Sequence, residues 1–212
     1  MTPVDCFVCA ARCEQVPSLP WYDVPVHRVR RGGVTLVGVG AIVPGYLLAC
    51  PEPHVRSLAA LPRSMVDPFL SLVDVAVADL TREFASVLLF EHGGCNAAVH
   101  TSACIDHAHL HLWAIAGHVT LTLPRYWQTY PDLRAFLGDP RRAELRSYLL
   151  HSDQGGSIMV GPDVRTPQFF RRQVAAQLGH PDAWDYAACP FEQCMRDTRD
   201  KLTGAVGHHH AG

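Results

Sequence analysis

Three histidines alternate with apolar residues in one short segment, His107-Ala108-His109-Leu110-His111-Leu112-Trp113. Successive side chains of a β-strand point to opposite faces, so this spacing predicts three imidazoles on one face and apolar side chains on the other. A helix would instead scatter the same histidines around its axis. A single buried histidine is most often a satisfied core residue, but three neighbours must be desolvated together, which disfavours charge on any of them. The segment therefore predicts a reactive strand of neutral imidazoles mounted on a hydrophobic core.

The same segment resembles the signature of the histidine-triad (HIT) family, His-φ-His-φ-His-φ-φ with φ apolar. The run from Gly45 to Val55 is similar to the strand and following turn that family members carry upstream, although Pro53 interposes and the usual basic residue is absent. Near the start, a further stretch is similar to the Cys-x-x-Cys of the zinc-containing branch, Cys6-Phe7-Val8-Cys9. The resemblance covers residues 6–116 and implies an antiparallel sheet with packed helices.

The resemblance also implies covalent catalysis at phosphorus. A neutral imidazole nitrogen attacks phosphorus and water then cleaves the phosphoimidazole, so one difficult displacement becomes two easier ones. Carried over from the family pattern, His109 would be the nucleophile on the α-phosphorus of a nucleotide. His111 would hydrogen-bond a non-bridging phosphate oxygen. His107 would orient His109, as a group that fixes tautomer and ring plane.

Cys6 and Cys9 have the spacing of a zinc knuckle, but zinc needs four ligands and the chain has no second Cys-x-x-Cys. The resemblance implies that His54 and His107 are the other two ligands of a closed, structural zinc site. His54 follows a Pro-Glu-Pro turn, and such a histidine taken alone is most often a surface residue. Its place after a glycine-led apolar strand makes it a candidate for either the zinc site or the active site.

Residues near the triad are candidates for contact with the substrate or its leaving group. Related hydrolases carry a serine or threonine three residues before the first histidine, where this chain has Cys104, with Ser102 two residues earlier. A thiol is a weaker donor than a hydroxyl, so Ser102 could substitute, or both residues could simply begin the strand. Asn96 could hold a phosphate oxygen, or it could be an ordinary turn residue.

Arg171 lies beside two phenylalanines at an expected helix start, and its guanidinium is suited to bidentate phosphate contacts. It is therefore a candidate substrate-binding residue. The alternative is an amphipathic helix with Phe169 and Phe170 in the core and with Arg171 and Arg172 both solvated.

The resemblance implies a nucleotide hydrolase. In the related uridylyltransferases the third triad position is glutamine, whereas this chain has His111, although Trp113 and the zinc pattern resemble the transferase branch. The expected substrate is a nucleotide substituted on its 5′ phosphate, such as a phosphoramidate, a dinucleoside polyphosphate or a nucleotide sugar, and the product is a nucleoside monophosphate. A nucleotidyltransferase, a non-catalytic nucleotide-binding module and a zinc-stabilised scaffold are the alternatives. Related small hydrolases are often dimers, so the resemblance makes a homodimer possible, although the sequence does not fix the oligomeric state.

Composition narrows the classes of function. The chain has 212 residues, 48% of them hydrophobic, enough for a sizeable core in one domain with an elaborated end. A net charge of −2 argues against a dedicated nucleic-acid binder. No apolar stretch is long enough to predict a membrane span, and no secretory signal is visible. The eight cysteines are expected to be free thiols with one metal site, which favours a cytoplasmic protein.

Hydrophobic periodicity predicts strands at 34–39, 46–50, 86–90 and 107–115, with a hairpin turn before the first at Arg31-Gly32-Gly33. Residues 64–84 are expected to form an amphipathic helix with Ser64 as its N-cap. Later elements are expected as strands at 145–150 and 157–160 and as helices at 132–137, 166–178 and 190–202. Together with the resemblance, this order predicts an α+β fold with a HIT-like catalytic core over 1–123. Residues 124–212 would form a C-terminal extension that packs on the core and could shape specificity.

Overall fold

A computed structural model describes residues 6–13, 19–94, 106–153, 155–164 and 166–204 of the chain. These ranges contain five α-helices, namely α1 (Phe7–Arg12), α2 (Val66–Glu83), α3 (Leu133–Gly138), α4 (Phe169–Gln177) and α5 (Glu192–Thr203). They also contain eight strands, namely β1 (His27–Val29), β2 (Gly33–Val37), β3 (Tyr46–Pro51), β4 (Val87–Gly93), β5 (Leu110–Ala114), β6 (Gln128–Tyr130), β7 (Tyr148–Ser152) and β8 (Ile158–Pro162).

The eight strands form one antiparallel sheet in the order β1-β2-β3-β5-β4-β7-β8-β6. β5 lies inside the sheet, between β3 and β4. β7 pairs with the other edge of β4, so the sheet continues from the expected core at 1–123 into the expected extension at 124–212. A single antiparallel sheet with separate helices confirms the predicted α+β class.

One face of the sheet packs on α2. The strand registers place one row of side chains on this face, His27, Thr35, Ala49 and Leu110. His27 Nε2 lies 3.0 Å from a carboxylate oxygen of Asp79 on α2, which identifies the face that the helix covers. The buried residues of α2 recur at the predicted three- and four-residue spacing, Phe69, Leu72, Val73, Ala76 and Leu80.

The opposite face carries the histidines. Its central row consists of Leu48, His111, Phe90 and His151, each directly opposite the next on the neighbouring strand. Phe170 of α4 packs on this row, with its ring centroid 5.4 Å from that of Phe90 and 5.6 Å from that of His151. We call this side of the sheet the histidine face. The two faces are therefore covered by different helices, α2 on one and α4 on the other.

The predicted hairpin joins β1 to β2 through a glycine turn. Gly33 has φ +119°, a conformation that side chains rarely adopt, and a Cβ there would lie 2.0 Å from the carbonyl oxygen of Cys50. Only glycine therefore allows β2 to pair this closely with β3.

The largest differences from the expected elements are at their ends. Ser64 is not the N-cap of α2, because Arg63–Met65 first form a 3₁₀ turn and the helix begins at Val66. The strand expected from 145 begins at Tyr148, and the three-residue strand β6 was not expected. α2 is the longest helix at 18 residues, and no helix in the described ranges is long and apolar enough to cross a membrane.

A buried polar network anchors the segment that follows β3. Glu91 accepts a hydrogen bond from the backbone N–H of Leu58 at 2.8 Å and another from the Tyr148 hydroxyl at 2.5 Å. The same hydroxyl accepts from the N–H of Ala59 at 3.0 Å. The Arg142 guanidinium donates to four backbone carbonyls, those of Leu58, Ala59, Leu61 and Leu137. Because these buried backbone groups have no water to bond, the network fixes the segment against β4 and β7.

Tyr148→Phe is expected to lower the free energy of unfolding by about 1–3 kcal/mol, because the Ala59 N–H then loses its acceptor inside the protein. Urea denaturation measures the change. Tyr130→Phe is the matched control, since the Tyr130 hydroxyl donates to Asp139 in a half-buried position where water can replace it. Equal losses in the two variants would contradict the importance of the buried network.

Candidate functional site

Two thiols and two imidazoles meet beside the start of α1. Cys6 precedes this helix and Cys9 lies within it, whereas His54 follows β3 and His107 precedes β5. His107 Nδ1 lies 3.6 Å from the Sγ atoms of both cysteines, and His54 Nδ1 lies 3.3 Å from Cys9 Sγ. One ligand atom from each of the four residues lies within 4.8 Å of the others. We call these four residues the thiol–imidazole cluster.

The thiol–imidazole cluster has the dimensions of a metal site. A tetrahedral ion with metal–sulfur bonds of about 2.3 Å and metal–nitrogen bonds of about 2.0 Å places neighbouring sulfur and nitrogen ligands about 3.5 Å apart. The observed separations of 3.3 to 3.6 Å match that spacing. Four donors complete a tetrahedron, so a metal held here would have no position open for a substrate.

The surroundings of His107 suit a metal ligand. Its Nε2–H donates to the carbonyl oxygen of Pro51 at 2.9 Å, which leaves the lone pair of Nδ1 directed to the cysteines. Burial lowers the pKa of His107 to about 4, so the ring is neutral. Burial, together with the adjacent Cys6 thiol, raises the pKa of Cys9 to about 11. A bound cation would offset the free-energy cost of deprotonating Cys9 and would favour the thiolate form that ligates metals.

The predicted strand alternation holds for the second half of the histidine motif. β5 begins at Leu110, and Ala108, Leu110 and Leu112 are buried as expected, at 2%, 0% and 0% exposed. His107 lies in a bend before the strand, and its ring packs against that of His54 with 5.0 Å between centroids. The first histidine of the motif therefore faces the thiol–imidazole cluster, while the other two lie on the histidine face.

His109 is held by the backbone of the first histidine. Its Nδ1 lies 2.9 Å from the carbonyl oxygen of His107, and because a carbonyl can only accept, this nitrogen carries the proton. The other ring nitrogen, Nε2, therefore bears the lone pair. The side chain is half-buried, so a substrate can reach it. The expected link between His107 and His109 thus exists, but it runs through the main chain and not from ring to ring.

His111 lies between two aromatic rings on the histidine face. Its ring stacks on Phe90 with 4.4 Å between centroids and is nearly parallel to that of Tyr46, and it meets His109 edge-on at 4.8 Å. Its Nδ1 lies 2.6 Å from the Tyr46 hydroxyl. Burial raises the pKa of that hydroxyl, so it keeps its proton and can donate to His111. Nε2 of His111 would then carry a hydrogen that a phosphate oxygen can accept.

Burial sets the charge of both histidines on the strand. It lowers the pKa of His109 and lowers the pKa of His111 further below its ordinary value. Both rings are therefore neutral at neutral pH, as the sequence pattern predicts. A neutral His109 is a nucleophile, and a neutral His111 can donate one hydrogen bond.

Tyr46 was not among the residues singled out from the sequence. It sits opposite Trp113 in the pairing of β3 with β5, and its hydroxyl reaches His111 diagonally. Such a contact depends on the register between two strands that are far apart in the chain. The only signal in the sequence was a tyrosine at the start of an otherwise aliphatic strand.

Arg171 is buried at 4% exposed, so the alternative in which it is solvated does not hold. Its guanidinium donates to the carbonyl oxygens of Gly40 and Trp184, at 2.9 and 3.0 Å, and lies 5.5 Å from the centroid of the Trp113 ring. These contacts fasten α4 to the histidine face. A contact between Arg171 and a substrate stays a prediction.

Three candidate substrate-binding residues, Asn96, Ser102 and Cys104, lie outside the described residues. Apart from Arg171, the other site residues predicted from the sequence form two groups. One group is the thiol–imidazole cluster, which includes the His107 ring, and the other is the pair His109 and His111. The His107 carbonyl links the two groups through its contact with His109.

No model of a known protein family matches the chain, and no curated protein matches its sequence at a significant level.

Replacing both Cys6 and Cys9 by serine is expected to abolish binding of a metal ion and to lower the melting temperature of the metal-loaded protein. The physical reason is that metal binding to a site formed only in the folded state adds to folding stability. Elemental analysis and thermal denaturation measure the two effects.

Cys13→Ser is the control for that variant, because Cys13 is an exposed free thiol just beyond α1. It should leave metal content and melting temperature unchanged. A double variant with the metal content of the wild type would remove the assignment of the thiol–imidazole cluster as a metal site.

Proposed function

We propose that the chain is a hydrolase of nucleotides substituted on the 5′ phosphate, with His109 Nε2 as the nucleophile at the α-phosphorus. The observation that carries this proposal is the hydrogen bond from His109 Nδ1–H to the His107 carbonyl. It fixes the tautomer in which Nε2 holds a lone pair, on a half-buried ring beside a second neutral imidazole. Attack by that lone pair on phosphorus forms a nucleotidyl-histidine, which water then cleaves to a nucleoside monophosphate.

His111 is proposed to stabilise the negative charge that develops on the non-bridging oxygens of the phosphate. With its Nδ1 accepting from Tyr46, its Nε2–H can donate to a non-bridging oxygen beside the nucleophile. Stacking against Phe90 holds the ring plane, so the donor does not need to reorganise during the reaction. A histidine at this position, where the related transferases have glutamine, is the reason to favour hydrolysis over nucleotidyl transfer.

The metal of the thiol–imidazole cluster is proposed to be zinc. Two thiolates and two imidazoles at tetrahedral spacing are the donor set that structural zinc prefers. Zinc bound there would supply rigidity, because all four ligand positions are taken by protein. It would hold His107 and, through the His107 carbonyl, the tautomer of His109.

A relationship to the histidine-triad family is part of this proposal. Two observations support it. The three-histidine motif leads directly into a central strand of an antiparallel sheet, and the Cys-x-x-Cys pair meets the first histidine of that motif.

His109→Ala is expected to reduce turnover by roughly 10³-fold or more while AMP affinity is retained, because the variant lacks the nucleophile and keeps the surrounding pocket. Wild type and variant are incubated with adenosine and guanosine phosphoramidates, dinucleoside polyphosphates and nucleotide sugars, and nucleoside monophosphate is quantified by liquid chromatography. AMP affinity is measured by calorimetry.

His180→Ala is the control for an exposed histidine away from the site, and it should react at the wild-type rate. Product from wild type and from His109→Ala at equal rates would overturn the mechanism. Nucleotide binding without product from the wild type would favour a binding module or a transferase that lacks its acceptor.

Tyr46→Phe is expected to lower kcat by roughly 10-fold or more with little change in KM, because the hydroxyl that directs the His111 proton toward the substrate is lost while ring stacking is kept. Steady-state kinetics on the best substrate separate the two constants. A change in KM alone would show that Tyr46 acts on binding and not on the reaction.

A further inference from the structure

His92 lies on the histidine face although the triad motif does not include it. On β4 it is two residues beyond Phe90, and side chains two apart on a strand share a face. Phe90 is directly opposite His111 on β5. His92 therefore projects from the same side of the sheet as the proposed catalytic histidines.

The pairing of β4 with β5 directs His92 toward the end of the histidine face that carries the proposed nucleophile. β4 and β5 pair without a bulge from Leu88 with Trp113 to Phe90 with His111. The paired residues end at Phe90 and His111, and beyond them His92 and His109 continue in the same direction along their two segments. The charge of His92 acts on His109, so the two rings lie near one another.

A carboxylate backs the His92 ring. Nε2 of His92 lies 2.7 Å from Oδ1 of Asp163, which follows β8, and both side chains are about three-quarters buried, at 27% and 23% exposed. The other carboxylate oxygen of Asp163 accepts from the Ser147 hydroxyl at 2.7 Å. Asp163 thus places a carboxylate directly beside Nε2 of His92, the kind of neighbour that orients histidines in catalytic sites.

The end of β4 that carries His92 is rigidly placed. Its neighbour Glu91 points to the opposite face and is held there by Leu58 and Tyr148. Gly94, just beyond the strand, lies so close to the backbone of Arg146 that a Cβ on Gly94 would be 2.0 Å from the Arg146 carbonyl oxygen. The position of His92 is therefore set by packing on both sides of the sheet.

We propose that the His92–Asp163 pair is the proton donor for the leaving group, a further catalytic residue with its positioning carboxylate. This inference rests on the proposed function, because it assigns a role in the same reaction. It identifies the substrates as nucleotides whose leaving group, an alcohol or an amine, must be protonated as it departs.

The proton transfers balance as follows. The lone pair of His109 Nε2 forms a bond to phosphorus, the bond from phosphorus to the leaving oxygen or nitrogen breaks, and Nδ1–H of His92 gives its proton to that atom. In the second step His92 accepts a proton from water as its oxygen attacks phosphorus. The phosphorus–nitrogen bond then breaks and its electron pair returns to His109.

Electrostatics agree with this placement. Burial is the main cause of the lowered pKa of both His109 and His111, and a positive charge on His92 contributes to each. His92 is thus within electrostatic range of the reacting centre. A cation at that distance would also attract the anionic phosphate.

The test compares two leaving groups of similar shape, the para-nitrophenyl and the phenyl esters of AMP. The nitrophenolate departs without a proton, whereas phenolate is a poorer leaving group that gains from an acid. His92→Gln is expected to lower kcat/KM for the phenyl ester by roughly 10²–10⁴-fold and for the nitrophenyl ester far less. Asp163→Asn should show the same selective loss to a smaller extent.

His27→Gln is the matched control, because His27 forms an equivalent pair with Asp79 on the opposite face of the sheet, at 3.0 Å. It should leave both substrates unaffected. Equal losses on both esters in His92→Gln, or no loss on either, would overturn the role of the pair. If His92→Gln does not fold, Asp163→Asn decides by the same comparison.

The proposed function fails separately from this inference. Loss of activity toward both esters in His109→Ala, combined with unselective behaviour of His92→Gln, would keep the hydrolase and remove the proton donor. A wild-type protein inactive toward both esters and toward all the other nucleotides would remove both.

Discussion

The pairing of β5 with β3 on one side and with β4 on the other determines where every reactive group lies. Side chains alternate along a strand, so a slip of one residue would turn His111 into the face covered by α2 and expose Leu112 in its place. The same pairing brings the Tyr46 hydroxyl to Nδ1 of His111. It also stacks the Phe90 ring on the face of the His111 ring. Aromatic stacking and a tyrosine hydrogen bond are thus direct consequences of register.

Two kinds of restraint act on the two ends of this central strand. Just before β5 begins, the chain bends so that the His107 ring enters the thiol–imidazole cluster. The His107 carbonyl still contacts the His109 ring. At the other end, Arg171 of α4 lies over Trp113 and ties the helix to the sheet. Phe170 of α4 covers Phe90 and His151, whereas His92, His109 and His111 on the same face are only half-buried.

The sequence was sufficient for those elements whose pattern is local and strongly periodic. α2 and β3 lie within two residues of their expected limits, and the burial of Leu110 and Leu112 follows directly from alternation. β6 has three residues, too few to show any period. The sequence alone could not assemble groups that depend on tertiary pairing, such as Tyr46 with His111. The four cluster residues were named together only through the family resemblance, since spacing relates Cys6 to Cys9 but not to a histidine 101 residues away.

That separation along the chain affects how the protein is made. Ribosomes add about 5–20 residues per second, so the two cysteines emerge roughly 5–20 s before His107 exists to join them. Throughout that interval the thiols of Cys6 and Cys9 are unprotected and open to oxidation or to capture of the wrong ion. A metal ion that needs all four ligands could be bound only once β3 and the start of β5 are in place, so the assembled cluster would be a late marker of correct folding.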